Sequence, residues 1–300
     1  MPNVPRLGLA LGGGGARGLA HLSVLRVFEE NHIPIAAIAG TSIGAIIGAC
    51  YALEPNAKAV HAKIEAFLRS RQFEESGLSL FKKKTAAENF FGQAAKYVKE
   101  RIVINFAHSR LSLVGAWRVS HAVDALLATR TFQECRIPFA CVATDLRRGE
   151  EVVFRKGDLS KAVQASMSIP GFLPPIEYDG YLLVDGAVIS PVPIACCRAL
   201  GVDAVVAVDV GQDIESELEL DNVINIVFRT NSITAHKYTE KLLQEAQVIL
   251  RPEVGEIHWS EFSKMPAILA AGEAAAKKAL PEIRRLVKSR PSVWQRVFGS

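Results

Sequence analysis

A chain that runs a short apolar segment into a glycine-flanked turn, and then into a run of small residues, has few ways to fold. Residues 36–53 do this: Ala-Ala-Ile-Ala, then Gly40-Thr41-Ser42-Ile43-Gly44, then Ala-Ile-Ile-Gly-Ala-Cys-Tyr-Ala-Leu. The apolar run reads as a buried strand ending near Ala39, and the small-residue run as a closely packed helix. The turn between them fits G-x-S-x-G, the nucleophile elbow, which forces a serine into a strained backbone conformation and exposes its hydroxyl above the sheet. Gly40 and Gly44 leave room for the backbone on either side. The helix start aims free N–H groups and a partial positive charge at the same place. Taken alone, an ordinary strand-to-helix turn capped by Thr41 or Ser42 has the same sequence pattern.

A second strand-to-helix junction lies upstream. Arg6 to Leu11 is a short apolar strand, Gly12-Gly13-Gly14-Gly15-Ala16-Arg17-Gly18 follows, and a helical pattern runs from Leu19 to about Asn31. Residues 13–18 fit the dinucleotide fingerprint G-x-G-x-x-G. A Rossmann unit, however, wants an acidic residue roughly 20 positions on, at the end of its second strand. Here the second strand ends at Gly40-Thr41-Ser42. The glycines have a better use: bare backbone N–H groups held close together bind a developing oxyanion. Arg17 adds positive charge to that loop or holds it in place.

Downstream, strands are expected at Pro138–Thr144, Glu151–Phe154, Tyr181–Val184, Asp203–Val210 and Val248–Leu250. Helices are expected over 56–71, 159–167, 192–200, 223–247 and 266–287. Residues 72–120 read as helices over a cleft, a lid. Alternating strands and helices predict an α/β fold, a mainly parallel central sheet covered by helices on both faces. With no repeat and no linker, residues 1–300 are expected to form a single domain.

Composition narrows the function classes. A net charge of +4 is too mild to imply nucleic acid as a partner. The five cysteines form no C-x-x-C pair and sit mostly in apolar runs, as reduced buried thiols do. No run reaches the roughly 18 apolar residues that span a bilayer. The N-terminus does not read as a signal peptide. The expectation is a soluble, cytoplasmic protein with peripheral membrane contact through residues 81–106 or 293–298, although helix packing explains both stretches more simply. The oligomeric state is not legible.

The glycine loop, Ser42 and Asp185 each follow an expected strand, and ligands of parallel α/β sheets bind at the carboxyl ends of strands. A serine hydroxyl needs a base within hydrogen-bond reach. The histidines His21, His32, His61, His108, His121, His236 and His258 sit in no strand-end loop. The α/β-hydrolase order would leave His236 and His258 as candidates, and both lie in or beside helical segments.

Gly12 to Gly18, Gly40 to Gly44 and Asp185-Gly186-Ala187, in that order, resemble the patatin-like phospholipases, in particular bacterial members related to neuropathy target esterase. Ala143-Thr144-Asp145 and Ser166-Met167-Ser168-Ile169-Pro170 match further stretches of that group, and the resemblance covers residues 6–210. It implies a three-layer α/β/α fold and a Ser–Asp dyad without histidine. Ser42 would be the nucleophile and Asp185 the proton acceptor. Backbone amides around Gly13, Gly14 and Gly15, with Arg17 nearby, would form the oxyanion hole. The implied substrates are phospholipid or lysophospholipid esters, with no metal or other cofactor. An acyltransferase or thioesterase would use the same acyl-serine, and a regulatory protein could keep the same fold.

Overall fold

The computed structural model describes residues 5–75, 116–211 and 223–288. The expected contacts of residues 81–106 and 293–298 lie outside this set, as does most of the expected lid. The described strands are β1 (Leu7–Leu11), β2 (Ala37–Gly40), β3 (Phe139–Asp145), β4 (Glu150–Phe154), β5 (Ile176–Tyr178), β6 (Tyr181–Asp185), β7 (Ala204–Val208) and β8 (Val248–Leu250). The described helices are α1 (Ala20–Glu30), α2 (Ile43–Leu53), α3 (Ala57–Leu68), α4 (Arg71–Glu75), α5 (Ala116–Leu127), α6 (Leu159–Ser166), α7 (Ile194–Arg198), α8 (Val223–Leu243) and α9 (Met265–Lys288).

The strands form one sheet in the order β5-β6-β3-β2-β1-β7-β8, with β4 also paired to β3. The five strands from β3 through β2, β1 and β7 to β8 are parallel, whereas β4, β6 and β5 join antiparallel. The period-two alternation along β1, β2, β3 and β7 sends successive side chains to opposite sides of the sheet. Leu7, Leu9, Leu11, Ile38, Phe139, Val206 and Val208 enter the larger core with α1, α2 and α9. Ala10, Ala37, Ala39, Ala140 and Ala207 face the other side with α7. Small side chains there let α7 come close: a Cβ built on Gly8 would lie 2.6 Å from Cys197 Sγ. Ten successive residues of α2, from Ile43 to Ala52, are buried, as expected of a helix that is apolar all round. Asn56 and Asp158 cap α3 and α6 by accepting the N–H of Ala59 and Lys161. All five cysteines are free thiols.

The sheet's register decides what meets at its carboxyl edge. At Cys141, β3 pairs with Gly40 of β2 on one side and with Phe154 of β4 on the other. From Ala143 to Asp145 it pairs with β4 on one side and with β6 on the other. Since β4 runs along one side throughout, β2 and β6 share the same edge of β3. They approach head-on, carboxyl end to carboxyl end. The elbow turns β2 away after Gly40, and β6 occupies the vacated edge as far as Asp185. The Asp185 strand is therefore an antiparallel member of the mainly parallel sheet. Its end reaches the site from the opposite direction, because β3 extends beyond the end of β2.

Candidate active site

Ser42 sits at φ 55°, ψ −123°. A non-glycine residue in this region costs on the order of 1–3 kcal/mol and persists only when its surroundings impose it. The surroundings do so. Gly44 must come so close to β1 that a Cβ on it would lie 2.2 Å from Leu11 O. The Thr41 hydroxyl donates to Ser190 O at 2.8 Å, and the Ser42 N–H donates to Ser166 Oγ at 3.0 Å. Gly40 ends β2, and Gly18 packs against Ile43 of α2.

The Ser42 hydroxyl donates to Asp185 Oδ2 at 2.6 Å across 143 residues of sequence. Serine and aspartate are 7% and 4% exposed. The second carboxylate oxygen of Asp185 accepts the Ala187 N–H at 2.8 Å, across the short helical turn that Gly186 begins. The Asp185 N–H donates to Ser168 O at 2.9 Å. Burial pushes the carboxyl of Asp185 up to about 6, against the pull of the hydrogen bonds from Ser42 and Ala187. Among the described residues, no histidine bonds to Ser42 or Asp185. His21 is fully buried and hydrogen-bonded through Nε2 to Gly12 O at 2.8 Å, and burial lowers it to about 4. His258 Nδ1 lies 2.7 Å from Ser260 Oγ.

The glycine loop closes over the serine. A Cβ on Gly13 would lie 3.2 Å from Ser42 Cβ and 3.4 Å from Ala187 Cβ. The peptide between Gly12 and Gly13 is clamped at both ends, with His21 on its carbonyl and the Gly13 N–H donated to Pro191 O at 2.9 Å. The Gly13 N–H, one of the expected oxyanion amides, is therefore already paired. The N–H groups of Gly14 and Gly15 take no acceptor among the described residues. Gly15 has φ +59°, and a Cβ there would lie 2.3 Å from Trp259 O. Arg17 is buried, and its guanidinium donates to Ile257 O at 3.4 Å. This bond links the loop to Ile257.

Sequence reasoning missed Trp259, and it singled out the stretch from Ser166 to Pro170 without giving Ser166 or Ser168 a role. Trp259 and Val210 wall the glycine loop from the C-terminal third, where no motif stands out, and only the sheet order brings them there. Among the described residues, no group of three or more His, Cys, Asp or Glu is arranged to hold a metal. No described helix is long and apolar enough to cross a membrane. A cavity of about 490 Å³ lies between α3, α4 and the start of α9, with Leu68, Phe73, Phe262 and Met265 among its lining, and shares no residue with the Ser42–Asp185 pair.

Residues 9–196, which carry all three motifs, match the profile of the patatin-like phospholipases. The chain belongs to this family. A patatin-like phospholipase domain-containing protein of Caenorhabditis elegans is 35% identical over 214 residues, 71% of this chain and 14% of that protein. An NTE family protein of Mycobacterium tuberculosis, itself described as uncharacterized, is 33% identical over 207 residues, 68% of this chain and 49% of that protein. The chain therefore spans half or less of the length of these relatives. VipD from Legionella pneumophila shares the fold, with a TM-score of 0.53, 14% identity, and coverage of 94% of this chain and 67% of that one. The family match ends at Cys196, so β7, β8, α8 and α9 lie beyond it, although β7 completes the sheet beside β1.

Proposed function

We propose that the protein is a serine acyl hydrolase acting on lipid esters of the phospholipid or lysophospholipid class. The observation that carries the reading is the 2.6 Å hydrogen bond from the Ser42 hydroxyl to a buried carboxylate, at a strained elbow. Family membership supports the lipid substrate.

In this mechanism the Ser42 oxygen attacks the ester carbonyl carbon as its proton passes to Asp185 Oδ2. The carbonyl oxygen becomes an oxyanion held by the amides of Gly14 and Gly15. Their lack of acceptors and the closeness of the loop to Ser42 support that role. Collapse of the tetrahedral intermediate expels the alcohol, which takes the proton from Asp185. Water then attacks the acyl-Ser42, again giving its proton to Asp185, and collapse returns a proton to the Ser42 oxygen as the free acid leaves. Losing one oxyanion donor in such a site costs about 10²–10³ in rate. Arg17 holds the loop rather than the oxyanion. No metal or cofactor takes part in these steps, and the whole domain, residues 1–300, is read as one unit around the sheet.

The test is hydrolysis of lysophosphatidylcholine and of short-chain p-nitrophenyl esters by wild type and Ser42→Ala. The expected result is ester cleavage that the substitution reduces to background. Full activity in Ser42→Ala would falsify the assignment.

A further inference from the structure

The stretch Ser166-Met167-Ser168-Ile169-Pro170 has no part in the chemistry above. Even so, the segment from Ser166 to Phe172 touches every component of the site. At the end of α6, the Ser166 hydroxyl oxygen accepts the Ser42 N–H at 3.0 Å. Two residues on, the Ser168 carbonyl accepts the Asp185 N–H at 2.9 Å. The Ser168 hydroxyl in turn donates to Gln164 O at 2.9 Å, locking the turn back onto α6. The Phe172 ring then packs edge-on against Trp259, with centroids 5.0 Å apart. Trp259 accepts the Ala16 N–H through its carbonyl and walls Gly15. The nucleophile backbone, the acceptor backbone and the glycine loop are thus held from one short segment.

We infer that residues 166–172 are a positioning device for the Ser42–Asp185 pair, with Ser166 its decisive positioning residue. Resting on the function proposed above, this goes beyond it by naming what sets the pair's geometry. Because Ser42 occupies a strained conformation, its backbone needs an external partner to hold it. The N–H of Ser42 is the handle, and Ser166, fully buried, is the group that grips it. The hydroxyl touches neither reacting atom. Its loss leaves substrate binding alone and misplaces the Ser42 oxygen relative to Asp185 Oδ2.

The control is built into the same helix. Ser160 is another buried hydroxyl of α6, donating to Ala128 O at 2.5 Å, and it contacts no site residue. Ser166→Ala, Ser166→Cys, Ser166→Thr and Ser160→Ala would be compared with wild type. The readouts are the rate of fluorophosphonate labelling of Ser42 and the kcat and KM for a short-chain ester, with thermal melting as a check on folding. Ser166→Ala is expected to lower labelling and kcat about 10–100-fold with KM within twofold, as loss of an interaction felt only in the transition state does. Ser166→Thr, which keeps the oxygen, is expected to regain most of that loss. Ser160→Ala is expected to melt earlier with kcat unchanged. Should Ser166→Ala fail to fold, Ser166→Cys carries the test, since sulfur is a poor acceptor of similar size. Wild-type labelling in folded Ser166→Ala or Ser166→Cys, or an equal loss of kcat in Ser160→Ala, overturns the inference and leaves the function intact. Absence of labelling at Ser42 in wild type overturns the function itself.

Discussion

Two parts of this molecule, the loops at the carboxyl edge of the sheet and the helix α8, are built on opposite terms. Around Ser42, three loops from β1, β2 and β6 interlock so closely that an added Cβ at Gly44 meets a carbonyl at 2.2 Å. In α8, a helix of 21 residues, Leu243 is buried at one end. At the other end Val223, Ile226 and Val227 are 75%, 48% and 51% exposed. The loops tolerate no extra atom, whereas the start of α8 leaves apolar side chains in the open. Constraint is therefore concentrated where reacting groups must be placed to a few tenths of an ångström, and it falls away at the start of α8.

That contrast can be broken at either end. The largest expected effect is Ser42→Ala, which should reduce ester hydrolysis to background. Asp185→Asn should follow, lowering the rate of fluorophosphonate labelling by about 10²–10⁴, the usual range for a general base. The same substitution should stabilise the fold, which separates function from stability. With its folded value raised from 3.8 to about 6, Asp185 favours the native state when protonated. Its contribution is complete below pH 3.8 and is lost as pH rises through 6. Above that, ionising the buried carboxylate costs on the order of 1–3 kcal/mol, so Asp185→Asn should melt higher than wild type at pH 8. Next comes Gly44→Ala, expected to cost about 1–3 kcal/mol as overpacking does, read as a lowered midpoint in urea. For wild type, labelling at pH 5 should fall to about a tenth of its plateau, as expected one unit below a controlling pKa. The smallest effect belongs to α8, where Ile226→Ser should move stability by less than about 0.5 kcal/mol. A large loss there would mean that the exposed face is covered in the working protein.

The same contrast explains what was legible in the sequence. The elbow and the Asp-Gly-Ala turn stand out because tight approaches leave few residue types that fit. Strand positions were readable because buried parallel strands are continuous apolar runs: β1, β3 and β7 lie where expected. Strand direction was not readable. Nothing in Tyr181–Asp185 marks β6 as antiparallel, since direction depends on which edge of β3 is vacant. The three-residue β5, half exposed, carries no alternation long enough to detect. The pairing of the Gly13 N–H was not legible because its partner, Pro191, comes from a loop that only the folded chain brings near. The contact of Ser166 with Ser42 and that of Trp259 with the glycine loop escaped for the same reason, since each spans more than 100 positions.

In the proposed mechanism a carboxylate alone, with no histidine, activates Ser42. Peptide mapping of the fluorophosphonate adduct tests it most directly, with wild type, Asp185→Asn and a His236→Ala/His258→Ala variant side by side. A single adduct on Ser42 that needs Asp185 and ignores both histidines is expected. An adduct on another residue, or labelling of Ser42 that survives Asp185→Asn but fails without the histidines, would contradict it.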